Sequence, residues 1–286
     1  MTHREIIDIF KLRIGALMAL TAVAGYVVTP GIRLSSPQLL LLALVVLGAS
    51  AAAGAFNQFA EHDLDAKMAR TAKRAFVTGA AVPDQRWLAL IAALLLVSVT
   101  LGGWAFNLTV AFHLFMGAFF YGVIYTLWLK RRSPLNIVIG GAAGSFAVLA
   151  GAAAADPGLS PESALLAVVL FLWTPPHFWA LAIVLHKDYE AAGVPMLPVV
   201  KGDAVAARVI LVNTVILVAV SLLPVLFAMG WIYLAGALAG GGYFIFRGMQ
   251  LVASPTQKAA MRCFLASLVQ LSAVLLAAML DVFLRT

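Results

Sequence analysis

Asn57, Glu61 and Asp65 stand four residues apart in the segment 57–71, NQFAEHDLDAKMART. On a continuous helix that spacing puts all three side chains on one face, about 6 Å apart per step. Three oxygen-bearing side chains in a row suit a hard divalent cation such as Mg²⁺, which takes a few protein oxygens and completes its shell with water and phosphate. Arg70, Lys73 and Arg74 follow within two or three turns and offer cationic donors to an anion carried by that metal. An acidic face with a basic flank therefore reads as a site for a metal-bound diphosphate. The plainer alternative is a solvated loop whose charges only fix membrane topology; the regular spacing weighs against it.

Two other polar clusters can reach the same anion. Residues 186–190, HKDYE, run into a stretch carrying Pro195, Pro198 and Lys201. Asp188 offers a second carboxylate, and Lys187 or Lys201 a phosphate contact, while the prolines stop a helix from continuing. Taken alone, this stretch is equally a loop capping a helix. The run Lys130-Arg131-Arg132-Ser133 adds further cations, and alone it reads as a positive-inside anchor.

The elements that must position these groups are membrane helices. The chain has 286 residues, 63% hydrophobic and 11% charged, with mean hydropathy +1.02, outside the range of soluble domains. Its apolar runs predict an all-α polytopic membrane protein with nine spans. The spans fall at about 13–30, 37–59, 87–104, 108–128, 135–155, 163–186, 208–228, 230–246 and 262–283, leaving one domain over 1–286. An N-in, C-out arrangement collects 17 of the 19 Lys and Arg residues on the cytoplasmic side, with only Arg33 and Arg285 outside. Arg4, Lys11 and Arg13 before an apolar run resemble a signal peptide, but cleavage there would spoil that asymmetry, so a retained helix is expected. The net charge of +7 is thus a topology signal with affinity for the lipid bilayer, and no nucleic-acid partner is expected. The 12 acidic residues lie at span ends or in loops, unlike the mid-membrane carboxylate of an ion-coupled transporter. Cys263, the lone cysteine, is expected to pack as a small apolar residue.

The motifs resemble those of the UbiA-type intramembrane prenyltransferases, from about residue 8 to 280. The segment 57–71 is similar to their first signature. Lys130-Arg131-x-Ser133, WTPPHFWA at 173–180 and KDYEAAGVPMLPVV at 187–200 resemble the haem-modifying branch. Glu61 stands where aspartate is commoner, and Asp188 is followed four places on by Ala192 rather than a second aspartate.

The resemblance implies a nine-helix bundle around a central cavity, whose polar caps come from the second and sixth interhelical loops, in a bacterial inner membrane with the active site facing the cytoplasm. The implied reaction joins farnesyl diphosphate to the 2-vinyl group of haem B to give haem O, with Mg²⁺ held by Asn57, Glu61 and Asp65. Asp188 is carried over as catalytic, and Arg70, Lys73, Lys130, Arg131 and Lys187 as diphosphate contacts. Phe56, Phe59, Tyr121, Tyr125 and Trp128 are expected to shield an allylic cation. His177, after Pro175-Pro176 in an expected helix break, is a candidate haem ligand or a hydrogen-bonded packing residue. A haem A synthase or oxidase assembly proteins would be downstream partners. A prenyltransferase for an aromatic acid or quinone precursor, or a transporter, stays open as an alternative.

Overall fold

The computed structural model describes residues 1–285, helical and without a strand among them. The helices are α1 (His3–Ile9), α2 (Leu12–Val28), α3 (Ser36–Ala60), α4 (His62–Asp65), α5 (Ala75–Thr78), α6 (Gln85–Ala105) and α7 (Leu108–Phe119). A π-helix, Phe120–Leu129, prolongs α7. There follow α8 (Asn136–Gly140), α9 (Ala142–Ala155), α10 (Pro161–Val184), α11 (His186–Ala191), α12 (Leu197–Lys201), α13 (Asp203–Leu222), α14 (Trp231–Ala253) and α15 (Gln257–Phe283). Polar residues start the long helices: Asp84, Asn107, Ser160 and Thr256 each accept from a backbone N–H in the first turn that no carbonyl can satisfy.

Seven stretches are long and apolar enough to cross a membrane: Ser36–Ala60, Gln85–Ala105, Leu108–Leu129, Asn136–Ala155, Pro161–Val184, Asp203–Leu226 and Gln257–Phe283. The other two expected spans coincide with α2, of 17 residues, and α14, of 23. One group of helices packs α2 on α3 and α9, α3 on α6, and α7 on both α6 and α9; α10, α13, α14 and α15 form a second. Contacts of α9 with α10 and of α2 with α15 join them. Where α2 meets α9, a Cβ on Gly151 would lie 1.7 Å from the Ala22 carbonyl oxygen, so glycine alone allows so close a crossing.

The expected break at Pro175-Pro176 is absent, and α10 runs through both prolines. Pro176 has no N–H for the carbonyl of Leu172 one turn earlier, and Asn213 of α13 replaces it, its Nδ2 donating to that oxygen at 3.0 Å. A neighbouring helix thus supplies the donor the proline lacks, and the helix stays whole. Asn213→Leu should therefore lower the unfolding midpoint of the detergent-solubilised protein, by about 1–2 kcal/mol in stability. An unchanged midpoint would show that the Leu172 carbonyl needs no such partner.

Candidate active site

The acidic row begins where α3 stops. Glu61 leaves helical geometry at φ −111°, ψ 13°, so the single straight face expected from the spacing becomes a helix end followed by the short α4. Glu61 N–H still donates to the Asn57 carbonyl at 3.0 Å, and Asp65 N–H to that of Glu61 at 2.8 Å. Those bonds keep all three side chains turned inward: Asn57 is 2% exposed, Glu61 0% and Asp65 3%. His62 and Asp63 between them are exposed. A solvated loop of topology charges does not have this pattern.

Each member of the row is held by a cation. Lys11 Nζ donates to Asn57 Oδ1 at 2.5 Å and to the Tyr121 hydroxyl at 3.0 Å. Lys130 Nζ pairs with Glu61 Oε2, and Arg74 Nη1 with Asp65 Oδ2 at 2.6 Å. Lys11 is the surprise, since it precedes the first span and carries no motif. It adopts a left-handed backbone, φ 48°, and its stem crosses Gly54, where a Cβ would come within 3.2–3.3 Å of the lysine's Cβ, Cγ and Cδ. Burial, reinforced by the Arg74 and Lys130 cations, pushes its ammonium down to about 7.

The π-helix explains how Lys130 arrives. At about 4.4 residues per turn, the path from Tyr121 to Lys130 makes about two whole turns; at 3.6 it would end half a turn away. The wider winding lines up Tyr121, Thr126 and Lys130 against the row. Thr126 Oγ1 donates to the Tyr121 carbonyl at 2.8 Å and accepts from Asn57 Nδ2 at 2.9 Å. Tyr121 and Tyr125 stack with centroids 5.6 Å apart. The Lys11 ammonium lies 5.4 Å from the first ring and that of Lys130 5.6 Å from the second.

The other expected residues divide. Arg70 N–H donates to Asp188 Oδ2 at 3.4 Å, joining the two long loops. The side chains of Arg70, Lys73 and Lys187 are exposed beyond the row. Arg131 instead grips Asp63 through two bonds of 2.7 and 2.8 Å; that bonding holds the Asp63 carboxyl below its usual range. Tyr189, which no spacing singled out, is buried beside this cluster, and its phenol is raised by burial against the opposing charge of Arg70. Of the aromatic shield, only Tyr121 and Tyr125 adjoin the row. Phe59 packs edge-on against Phe76, Phe56 lies against Gly122, and Trp128 is 51% exposed on the outside of the bundle.

His177 sits apart, between the faces of Trp173 and Phe264 with centroids 4.1 and 4.5 Å away. Its Nδ1 is 2.7 Å from Ser267 Oγ, whose hydroxyl donates to the Phe264 carbonyl at 2.6 Å. That hydroxyl proton is committed, so Ser267 Oγ accepts from Nδ1–H and Nε2 keeps the lone pair.

No three His, Cys, Asp or Glu side chains among the described residues gather closely enough to hold a metal by themselves. Mg²⁺ does not require that, since it commonly takes one or two carboxylates plus substrate phosphate. The donor set fits such an ion. Glu61 Oε1 is buried without a hydrogen-bond partner, and the neighbouring oxygens already sit against positive charge.

A family model described as "UbiA prenyltransferase family" matches residues 18–273. The chain is 53% identical to protoheme IX farnesyltransferase 2 of Paramagnetospirillum magneticum, covering 96% of this chain and 95% of that one. A digeranylgeranylglyceryl phosphate synthase structure superposes with TM-score 0.80 at 18% identity, covering 98% of both chains. A UbiA homologue from Archaeoglobus fulgidus bound to DMAPP and Mg²⁺ does so at 0.69 and 14%, covering 94% and 99%. These two structures bear on the fold.

Adjacent bases at the end of the π-helix should behave oppositely. Lys130→Ala strands the buried Glu61 carboxylate, costing about 3–5 kcal/mol. Arg131→Ala removes an exposed pair, with a cost within about 1 kcal/mol. Thermal unfolding in detergent compares them directly, and equal losses would remove the buried pair from its central place.

Proposed function

This chain belongs to the UbiA prenyltransferase family, and we propose that it transfers the farnesyl group of farnesyl diphosphate to the 2-vinyl group of haem B, with addition of water, giving haem O. The buried Asn57–Glu61–Asp65 row clasped by Lys11, Lys130 and Arg74 carries this reading. It is a place built to hold opposite charges together away from water, as a metal–diphosphate headgroup requires. Haem as acceptor and farnesyl as donor follow the P. magneticum relative's name, and Mg²⁺ follows the A. fulgidus homologue.

In this reading the C1–O bond of farnesyl diphosphate breaks, and the diphosphate leaves with the bonding pair. C1 bonds to the terminal vinyl carbon; water adds to the vinyl carbon beside the porphyrin and gives up a proton. Bound at Asn57, Glu61 and Asp65, a divalent cation would supply positive charge against the leaving group. The chain's own contribution is a set of cationic donors gathered at the site. Lys11, Lys130 and Arg74 converge on the row, within reach of the place where negative charge develops. Arg70, Lys73 and Lys187 form an outer rim for the same anion, with Asp188 tying the loops together across Arg70. Arg131 serves by orienting Asp63 rather than by meeting the anion. The stacked Tyr121 and Tyr125 give the allylic carbon a polarisable, water-poor wall. His177, its tautomer set by Ser267, offers Nε2 to haem iron. The N-in topology, which gathers 17 of the 19 basic residues on the side of the row, supports a site at the cytoplasmic face of the membrane.

Purified protein incubated with haem B, farnesyl diphosphate and Mg²⁺ should yield an extracted haem heavier by one farnesyl group and one hydroxyl. Asn57→Ala should lower that product about 100-fold or more in a protein that still folds. Turnover near wild type at saturating Mg²⁺ would take Asn57 out of the site. His177→Ala should weaken retention of haem, read from its absorption band, far more than binding of farnesyl diphosphate. Equal loss of both would mark His177 as a packing residue.

A further inference from the structure

We infer that Lys11, Lys130 and Arg74 are resting counter-ions of the acidic row, which give it up only when a divalent cation and a diphosphate enter together. The inference rests on the row being the metal–diphosphate site, and it adds a property that the reading does not require: neither component loads well alone.

Occupancy is the first support. Asn57 Oδ1, Glu61 Oε2 and Asp65 Oδ2 each already accept from a cationic donor. Glu61 Oε1 is the one carboxylate oxygen of the row that is buried without a partner. A divalent cation can therefore start at Oε1, but taking Asn57 Oδ1, Glu61 Oε2 or Asp65 Oδ2 as well means displacing an ammonium or guanidinium group.

Charge is the second. With Lys11 protonated, three cations face two carboxylates, a resting balance of +1. A divalent cation alone raises this buried balance to about +3, and a diphosphate ester, with about three negative charges, takes it to about −2. Both together bring it close to zero, the only loaded state without a large uncompensated charge in a poorly hydrated place.

The third support is a second resting place for two of the cations. Lys11 Nζ also meets the Tyr121 hydroxyl at 3.0 Å, and the two ammonium groups lie 5.4 and 5.6 Å from the Tyr121 and Tyr125 rings. Lys11 can turn from the Asn57 amide, and Lys130 from the Glu61 carboxylate, to phosphate while each keeps an aromatic neighbour. The left-handed backbone of Lys11 and the Gly54 slot fix the root of one of them, so the head can move without the stem.

The test is thermal unfolding of the full-length protein in detergent, with Mg²⁺ alone, inorganic pyrophosphate alone, and both. Wild type should shift by less than one degree with either alone and by several degrees with the pair. Lys130→Met should unfold earlier when unliganded, and Mg²⁺ alone should restore much of the loss by neutralising Glu61. A purely structural lysine would give the same early unfolding without that rescue. Lys11→Met, which leaves only a neutral amide unpaired, should bind Mg²⁺ alone at least threefold more tightly by calorimetry, and Mg²⁺-pyrophosphate less tightly. A full wild-type shift with Mg²⁺ alone, no rescue of Lys130→Met, or unchanged Mg²⁺ affinity in Lys11→Met would each overturn the inference. Glu61→Gln separates the two levels of the argument. If it responds to Mg²⁺-pyrophosphate as wild type does, the metal reading of the row fails; if it loses the response while the lysine variants show no opposite effect, only the counter-ion inference fails.

Discussion

Glu61 and Asp65 are carboxylates almost sealed from water, 0% and 3% exposed, at one end of a bundle otherwise made of apolar helices. Burying such groups is unfavourable unless positive charge and hydrogen bonds come with them. Much of the local architecture answers that demand. Lys11 is brought to Asn57 from 46 residues earlier in the chain, and Lys130 to Glu61 from 69 residues later. The π-helix turns Lys130 inward, Gly54 leaves room for the Lys11 stem, and the left-handed backbone at Lys11 aims it. These are departures from regular helix geometry, and they converge on one place.

Elsewhere in the bundle, neighbouring helices meet particular polar demands. Two prolines in α10 would ordinarily break a helix; Asn213 supplies the donor that one of them lacks, and the helix continues. Asp281, near the end of α15, accepts from the N–H groups of Gly230 and Ile232 and so caps the start of α14. Arg285 meets the same carboxylate.

The sequence showed the helical membrane architecture because hydropathy is summed over many residues. It showed the acidic row because Asn57, Glu61 and Asp65 recur at helical spacing and face one way even across the kink at Glu61. It did not show Lys11, whose position before a span reads as an ordinary topology charge and whose role depends on a contact far along the chain. Lys130 was not distinguished from Arg131 in sequence, because a 3.6-residue period leaves Lys130 half a turn from Tyr121 and only the π-winding brings it to the row. The expected gap beside His177 failed for a related reason: whether a proline opens a helix depends on the neighbour, here Asn213. Phe59 and Trp128 were expected at the site by proximity in sequence, and side-chain direction sent them elsewhere.

The central claim is that the cations now on the row belong, in the working state, to the diphosphate. A pair of experimental structures tests it most directly, one without ligands and one with Mg²⁺ and a non-ionisable thio analogue of farnesyl diphosphate. The account predicts that Lys130 Nζ and Arg74 Nη1 move from Glu61 and Asp65 to phosphate oxygens, while the carboxylates turn to the metal. Analogue bound with both ion pairs intact, or bound away from Asn57, Glu61 and Asp65, would contradict it.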